Sequence, residues 1–168
     1  MIVNRQRNVR FARKPLETFL RRVKKELGVQ EFEVTVCFVS DVEIAGMNER
    51  FRKKLGPTDV LSFPARKIQR DCLRKGKIIY PRGATDTEGT SKSREGQSAA
   101  ATETYLGDIA IAPETARRYA KKNGRSLSNE LRVLILHGVL HLMGYDHETD
   151  RGEMNRMERK MRRRFGLA

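Results

Sequence analysis

From Val133 to Met143 the chain is apolar on nearly every side of a helical wheel: Val133, Leu134, Ile135, Leu136, Val139, Leu140, Leu142 and Met143 leave no polar face. A helix without a polar face is buried, so this one must run through the middle of the domain with everything else packed around it. The chain's three histidines belong to this segment and the turn after it: His137, His141 and His147. His137 and His141 are four residues apart, so on a helix their rings leave the same face, roughly 40° apart around the axis. Gly144 offers a helix stop, after which the chain can fold back and bring His147 to the same point. Burying imidazoles on so apolar a helix is costly unless something satisfies them, and a metal ion does so. Three neutral imidazoles leave a fourth tetrahedral position open, the layout of a catalytic zinc.

The remaining sequence supplies elements to surround that helix. Residues 15–28 read as a first helix, with Pro15 suited to the first position, an apolar stripe of Leu16, Phe19, Leu20, Val23 and Leu27, and Gly28 as the stop. Phe32, Val34, Val36 and Phe38 alternate with polar residues and predict a strand with one buried face. Ser40-Asp41-Val42-Glu43 is a capping box opening a second helix closed by Gly56-Pro57, on which Asn48 and Arg52 share a face. Val60 to Phe63, stopped by Pro64, reads as an edge strand, and Leu106 to Ala112 as another. Pro113 starts a helix to about Asn123, and Ser126 caps the central helix, with Glu130 near its positive end. Asp150 and Glu153 form an Asp-x-x-Glu start for a last helix, with Met154, Met157, Met161 and Phe165 as its apolar stripe.

These elements predict an α+β fold in a single domain over 1–168: a small mixed sheet of about four strands packed with about five helices. Residues 65–104 stand apart. Their first half is basic and their second half, from about 82, has almost nothing bulky and apolar, so a flexible surface insertion is expected there.

Lys and Arg number 35 against 21 Asp and Glu, a net charge of +14. That excess predicts attraction to a polyanion. No apolar run of about 18 residues is present, so no membrane span is expected. The first residues lack the apolar stretch of a secretory signal, and strand-like sequence begins at once. Cys37 and Cys72 stand in unrelated contexts without a CxxC pair. They read as reduced thiols, and a cytoplasmic location is expected, with no organellar targeting evident.

The histidine spacing is that of the metzincin proteases, H-x-x-x-H-x-x-G-x-x-H. Those enzymes carry a glutamate general base directly after the first histidine. Here that position is Gly138: the metal cage is kept and the protease base is missing.

The segment His137-Gly138-x-Leu140-His141-Leu142-x-Gly144-Tyr145-Asp146-His147 resembles the signature of the YbeY family, single-strand-specific metallo-endoribonucleases of rRNA maturation. Other blocks agree in order along the chain: Asn48 to Arg52 with Phe51 as the aromatic, Thr58 to Pro64 (TDVLSFP), Leu106 to Ile109 (LGDI), and Glu153-Met154 with Met157-Glu158. The resemblance covers the chain except 65–104, where this sequence is much longer than the family's usual connection.

It implies one Zn²⁺ per chain on His137, His141 and His147, with Arg52 as the catalytic residue in the same cleft. A guanidinium fork suits phosphodiester cleavage, because it can bond two oxygens that gain negative charge. Asn48, Asp108 and Asp146 are candidates for RNA contact or for orienting the site. The implied partners are single-stranded RNA, rRNA in particular, and the ribosomal small subunit or its proteins; neither membrane nor DNA is expected. The nucleophile is left open between water and the ribose 2′-OH. Two other functions stand beside this one: an RNA- and ribosome-binding assembly factor with a structural metal, and, more remotely, a metzincin-like metalloprotease.

Overall fold

A computed structural model describes residues 1–65 and 104–167. Almost all of the 65–104 segment expected as an insertion lies outside the described residues.

Four strands form one mixed sheet: β1 (Ile2–Asn4), β2 (Glu33–Phe38), β3 (Val60–Pro64) and β4 (Tyr105–Ile111), in the order β1-β2-β4-β3. The first three in that order run parallel, and β3 pairs antiparallel to β4 as an edge strand. The helices are α1 (Arg13–Glu26), α2 (Asp41–Arg52), α3 (Pro113–Lys122), α4 (Leu127–Leu142) and α5 (Glu153–Phe165). The described residues therefore form the expected α+β fold with a four-stranded mixed sheet and five helices.

The two faces of the sheet carry unequal loads. Val34, Val36 and Phe38 of β2 with Ile109 and Ile111 of β4 point into the main core, against α1, α4 and α5. Ala110, Leu61 and Val39 point the other way, into a small cluster closed by Ile44 and Met47 of α2. Side chains alternate across a strand, so this division follows from period two. Helix α4 behaves as its all-apolar wheel requires: Leu131, Ile135, Leu136, Val139, Leu140 and Leu142 are fully buried.

Two glycines let these layers approach. A Cβ on Gly138 would stand 2.8 Å from Cδ1 and from Cγ2 of Ile109, so α4 lies on β4 with no room for a side chain there. Gly107, at φ +141, follows a register shift in the β2–β4 pairing, and a Cβ there would stand 2.3 Å from the Phe63 carbonyl oxygen.

Helix ends differ from the sequence reading in instructive ways. Helix α1 starts at Arg13, which moves Pro15 from the first to the third helical position. Proline is tolerated there because the first turn's N–H groups have no intrahelical partner. Gly28 does close α1, with Gly28 N donating to the Lys25 carbonyl and Val29 N to that of Lys24. Helix α2 has both halves of its capping box, but ends at Lys53, itself left-handed at φ 57, before Gly56 is reached. Asp150 caps α5 from just outside it, accepting from the N–H groups of Gly152 and Met154 at 2.7 and 2.8 Å.

Gly138→Ala is expected to cost about 1–3 kcal/mol by overpacking. The Ile109→Val change, which removes one of the clashing atoms, should recover part of that loss in the double variant. Urea denaturation of the four proteins checks this, and strictly additive losses would show that the Ile109 Cδ1 contact contributes nothing to the cost.

Candidate metal centre

The three histidines converge. Their ligand atoms all lie within 4.8 Å of one another, and their ring centroids are separated by 4.7, 5.3 and 5.7 Å. His137 and His141 come from the last two turns of α4. His147 is returned by the turn after it: Gly144, at φ 83, donates to the His141 carbonyl at 2.9 Å, and Tyr145 N to that of Leu140 at 3.1 Å. This is a Schellman stop, which reverses the chain while satisfying the last carbonyls of the helix.

Asp146 then shapes the loop that carries His147. Its carboxylate accepts from Glu148 N at 3.0 Å and from the Thr149 hydroxyl at 3.2 Å, and its carbonyl accepts from Asp150 N at 2.8 Å. The backbone hydrogen bond from Glu148 is the main reason its carboxyl sits below the ordinary range. These bonds commit Asp146 to shaping the turn that carries His147.

The donor set fits a zinc-class ion. Nε2 of His137 faces Nε2 of His141 at 3.1 Å; two nitrogens sharing a tetrahedral ion at Zn–N of about 2.0–2.1 Å are about 3.3 Å apart. Nδ1 of His137 lies 3.0 Å from Oε2 of Glu158 on α5. A carboxylate only accepts, so it holds the proton on Nδ1 and leaves the Nε2 lone pair toward the centre. Glu158 is gripped from its other side by Arg162, 2.6 Å away one turn along α5. Burial alone would raise the Glu158 carboxyl, but the hydrogen bond from His137 and the Arg162 guanidinium outweigh it and hold the group low. Burial, and then the neighbouring His137 and His147, push His141 down to about 4. It is therefore a neutral donor at physiological pH.

This centre opens into a cleft of about 880 Å³, also lined by β3, by Thr58 and Asp59 at the approach to it, and by Phe51 and Arg52 at the end of α2. Arg52 is positioned by anchoring both ends of α2. At its start, Asp41 accepts from Thr115 N and Oγ1 at 3.2 and 2.9 Å and pairs with Arg118 at 2.7 Å. Near its end, buried Asn48 donates to the Gly56 carbonyl at 2.9 Å and holds the outgoing loop. Asn48 shares the helix with Arg52, and its amide serves this loop.

Asp108 is not brought to the cleft. It is an exposed strand residue bonded by the Tyr105 hydroxyl at 2.5 Å. Sequence reasoning missed Glu158 as a partner of His137. Its one local signal is the Glu158–Arg162 pair at i,i+4 on an otherwise basic helix, which reads equally as a surface pair. It also passed over Asp59, which lines the cleft and whose carboxylate accepts from the Thr58 hydroxyl at 3.2 Å. The protease reading meets a steric obstacle: the position that would hold its glutamate is Gly138, where even a Cβ meets Ile109.

Comparison with known proteins places this geometry. The family described as Endoribonuclease YbeY matches residues 1–166. Endoribonuclease YbeY of Koribacter versatilis is 38% identical over 167 residues, 99% of this chain and 86% of the relative. That of Solibacter usitatus is 34% identical over 155 residues, 92% and 80% of the two chains. The solution structure of TM1509 from Thermotoga maritima has a similar fold, with a TM-score of 0.55 and 26% identity, covering 95% of this chain and 85% of that one.

Glu158→Gln keeps an acceptor for His137 but removes the charge, and should weaken zinc binding about 10–100-fold in competition with a chromophoric chelator. Unchanged affinity would remove Glu158 from the site. Because the folded chain holds a proton on His141 less tightly than the unfolded chain, chelator-treated protein should be at full stability above pH 6.5. It should lose stability as pH falls from 6.5 toward 4, with a shallower loss in His141→Gln. Urea midpoints across that window measure it; identical profiles for the two proteins would refute the assignment.

Proposed function

The chain belongs to the YbeY family of endoribonucleases, and from that premise we propose that it is a zinc-dependent, single-strand-specific endoribonuclease. We place it in the maturation of small-subunit rRNA and in ribosome quality control, in the cytoplasm, with the small subunit or its proteins as partners. The observation that carries the reading is the meeting, in one cleft, of three convergent histidines with an arginine from the end of α2.

His137, His141 and His147 would hold the ion. When bound, a zinc-class ion polarises a phosphate oxygen and lowers the pKa of water beside it. The chain's own residues do the rest. Glu158 keeps the His137 proton on Nδ1. His141 stays neutral and so available as a donor well below physiological pH. Arg52 offers a planar fork of N–H donors to the non-bridging oxygens as phosphorus gains negative charge, the point in the reaction where such donors lower the barrier. The +14 charge draws in the substrate backbone.

One observation favours the assembly-factor reading with a structural metal: His137 ties α4 to α5 through Glu158, so an ion there also braces the packing of two helices. Arg52→Ala separates the two. It leaves that brace untouched, so metal content and melting temperature should match the wild type while cleavage of single-stranded RNA falls about 10²–10³-fold. Unaltered cleavage would remove Arg52 from catalysis. His137→Ala should lose metal and cleavage together, and a metal-free wild type at full activity would sink the zinc mechanism.

A further inference from the structure

Phe51 is out of place by the ordinary logic of burial. It is 58% exposed, at the end of α2 on the wall of the cleft. The other large apolar side chains exposed among the described residues, Met1, Val42, Leu55 and Tyr119, do not line that cleft. Leaving a phenyl ring in water forgoes the gain that burying it would bring. Yet Phe51 is not a loose surface ring. It sits in an edge-to-face contact with Phe63 of β3, centroids 5.1 Å apart at 73°. The Arg50 guanidinium lies 5.4 Å from its centroid. Phe63 is itself packed onto the small core beneath α2. The ring is thus both exposed and held.

We infer that Phe51 is a stacking platform for an unpaired nucleobase of the substrate, next to the phosphate that Arg52 engages. The inference rests on the endoribonuclease reading and gives it a specificity element. A held, solvent-facing ring beside two arginines is the combination that binds single strands: cations take the phosphates and the ring takes a base face. Every base has such a face, so the platform tolerates any sequence. In a duplex both faces are covered by neighbouring pairs, so the platform accepts only an unstacked nucleotide. Phe51 and Arg52 are consecutive residues that both reach the cleft, so base and phosphate contacts come from adjoining points on one helix end.

The chain contains no tryptophan, so Phe51→Trp places its one indole fluorophore at the platform. Its emission should be quenched by a short single-stranded oligoribonucleotide, made resistant to cleavage by 2′-O-methyl and phosphorothioate substitution and titrated into the metal-loaded protein. It should respond far less to an abasic oligomer of the same charge or to the annealed duplex. In steady-state cleavage, Phe51→Ala and Phe51→Leu should both raise KM about 5–150-fold with little change in kcat. Leucine keeps apolar bulk without a ring face, so a loss shared by both variants is a loss of stacking. Phe51→Tyr should restore KM. Wild-type cleavage with KM unchanged in the alanine and leucine variants would overturn the platform and leave the endoribonuclease reading standing. So would indole emission indifferent to an RNA that the Phe51→Trp protein demonstrably binds. A wild type that neither binds nor cleaves single-stranded RNA would overturn both.

Discussion

The close approach of α4 to β4 at Gly138 and Ile109 sets the rest of the structure. Gly138 lies one residue after His137 and three before His141, so the turn of α4 that meets β4 is also the one that carries both histidines. The same approach brings the α4 face against β3, the edge strand that lines the cleft. One missing side chain therefore does two things. It sets the depth at which the histidines emerge, and it denies the position to the glutamate that a protease of this spacing needs. The substitution of glycine for glutamate is thus a packing constraint as much as a missing base.

The centre is assembled from parts of unequal firmness. His137 and His141 sit on a helix that is buried on nearly all sides. His147 is exposed and comes from a turn. The chain compensates at that turn with local bonds: the glycine stop, the Asp146 carboxylate on the next backbone N–H, and Asp150 capping the helix beyond. Helix α5, started by that cap, then returns Glu158 to His137. The loop that holds the least rigid histidine and the helix that orients His137 are in this way consecutive parts of one segment, so disturbance of the turn propagates to the tautomer of His137.

What was legible in the sequence was whatever depends on local periodicity. The apolar wheel of 133–143 announced a buried helix, the period-two run from Val34 to Phe38 announced a half-buried strand, and Ser40 with Glu43 announced a capped start that the structure reproduces bond for bond. The histidine cluster was legible because its spacing is itself local. Glu158 was not, since its meaning lies in a contact 21 residues away. Nor was the part played by Asn48, whose partner is a carbonyl in a loop. Pro15 and Lys53 show the limit at helix ends. A proline fits any position of the first turn, and a lysine can take the left-handed stop when the next glycine comes too late. Asp108 is paired across the sheet with Phe63, which does line the cleft, but its own carboxylate is taken up by the Tyr105 hydroxyl, a contact no periodic pattern reveals.

The electrostatics separate two tasks that the sequence reports as one number. The ligands of the centre are imidazoles, one of them held neutral by burial and by its neighbours, so the site itself adds little to the +14 of the chain. The net charge resides on arginines and lysines elsewhere, where exposed groups are screened within about 8–10 Å at physiological salt. Those charges gather a polyanion without choosing where it is cut. Under the proposed function the choice falls to the groups that line the cleft: one guanidinium from α2, the histidines, and β3. Attraction should therefore weaken steeply with salt, while the geometry that selects one phosphate persists once the strand is in the cleft. A chain built this way can carry a large, unspecific positive surface without losing a defined site of action, because the two act over different distances.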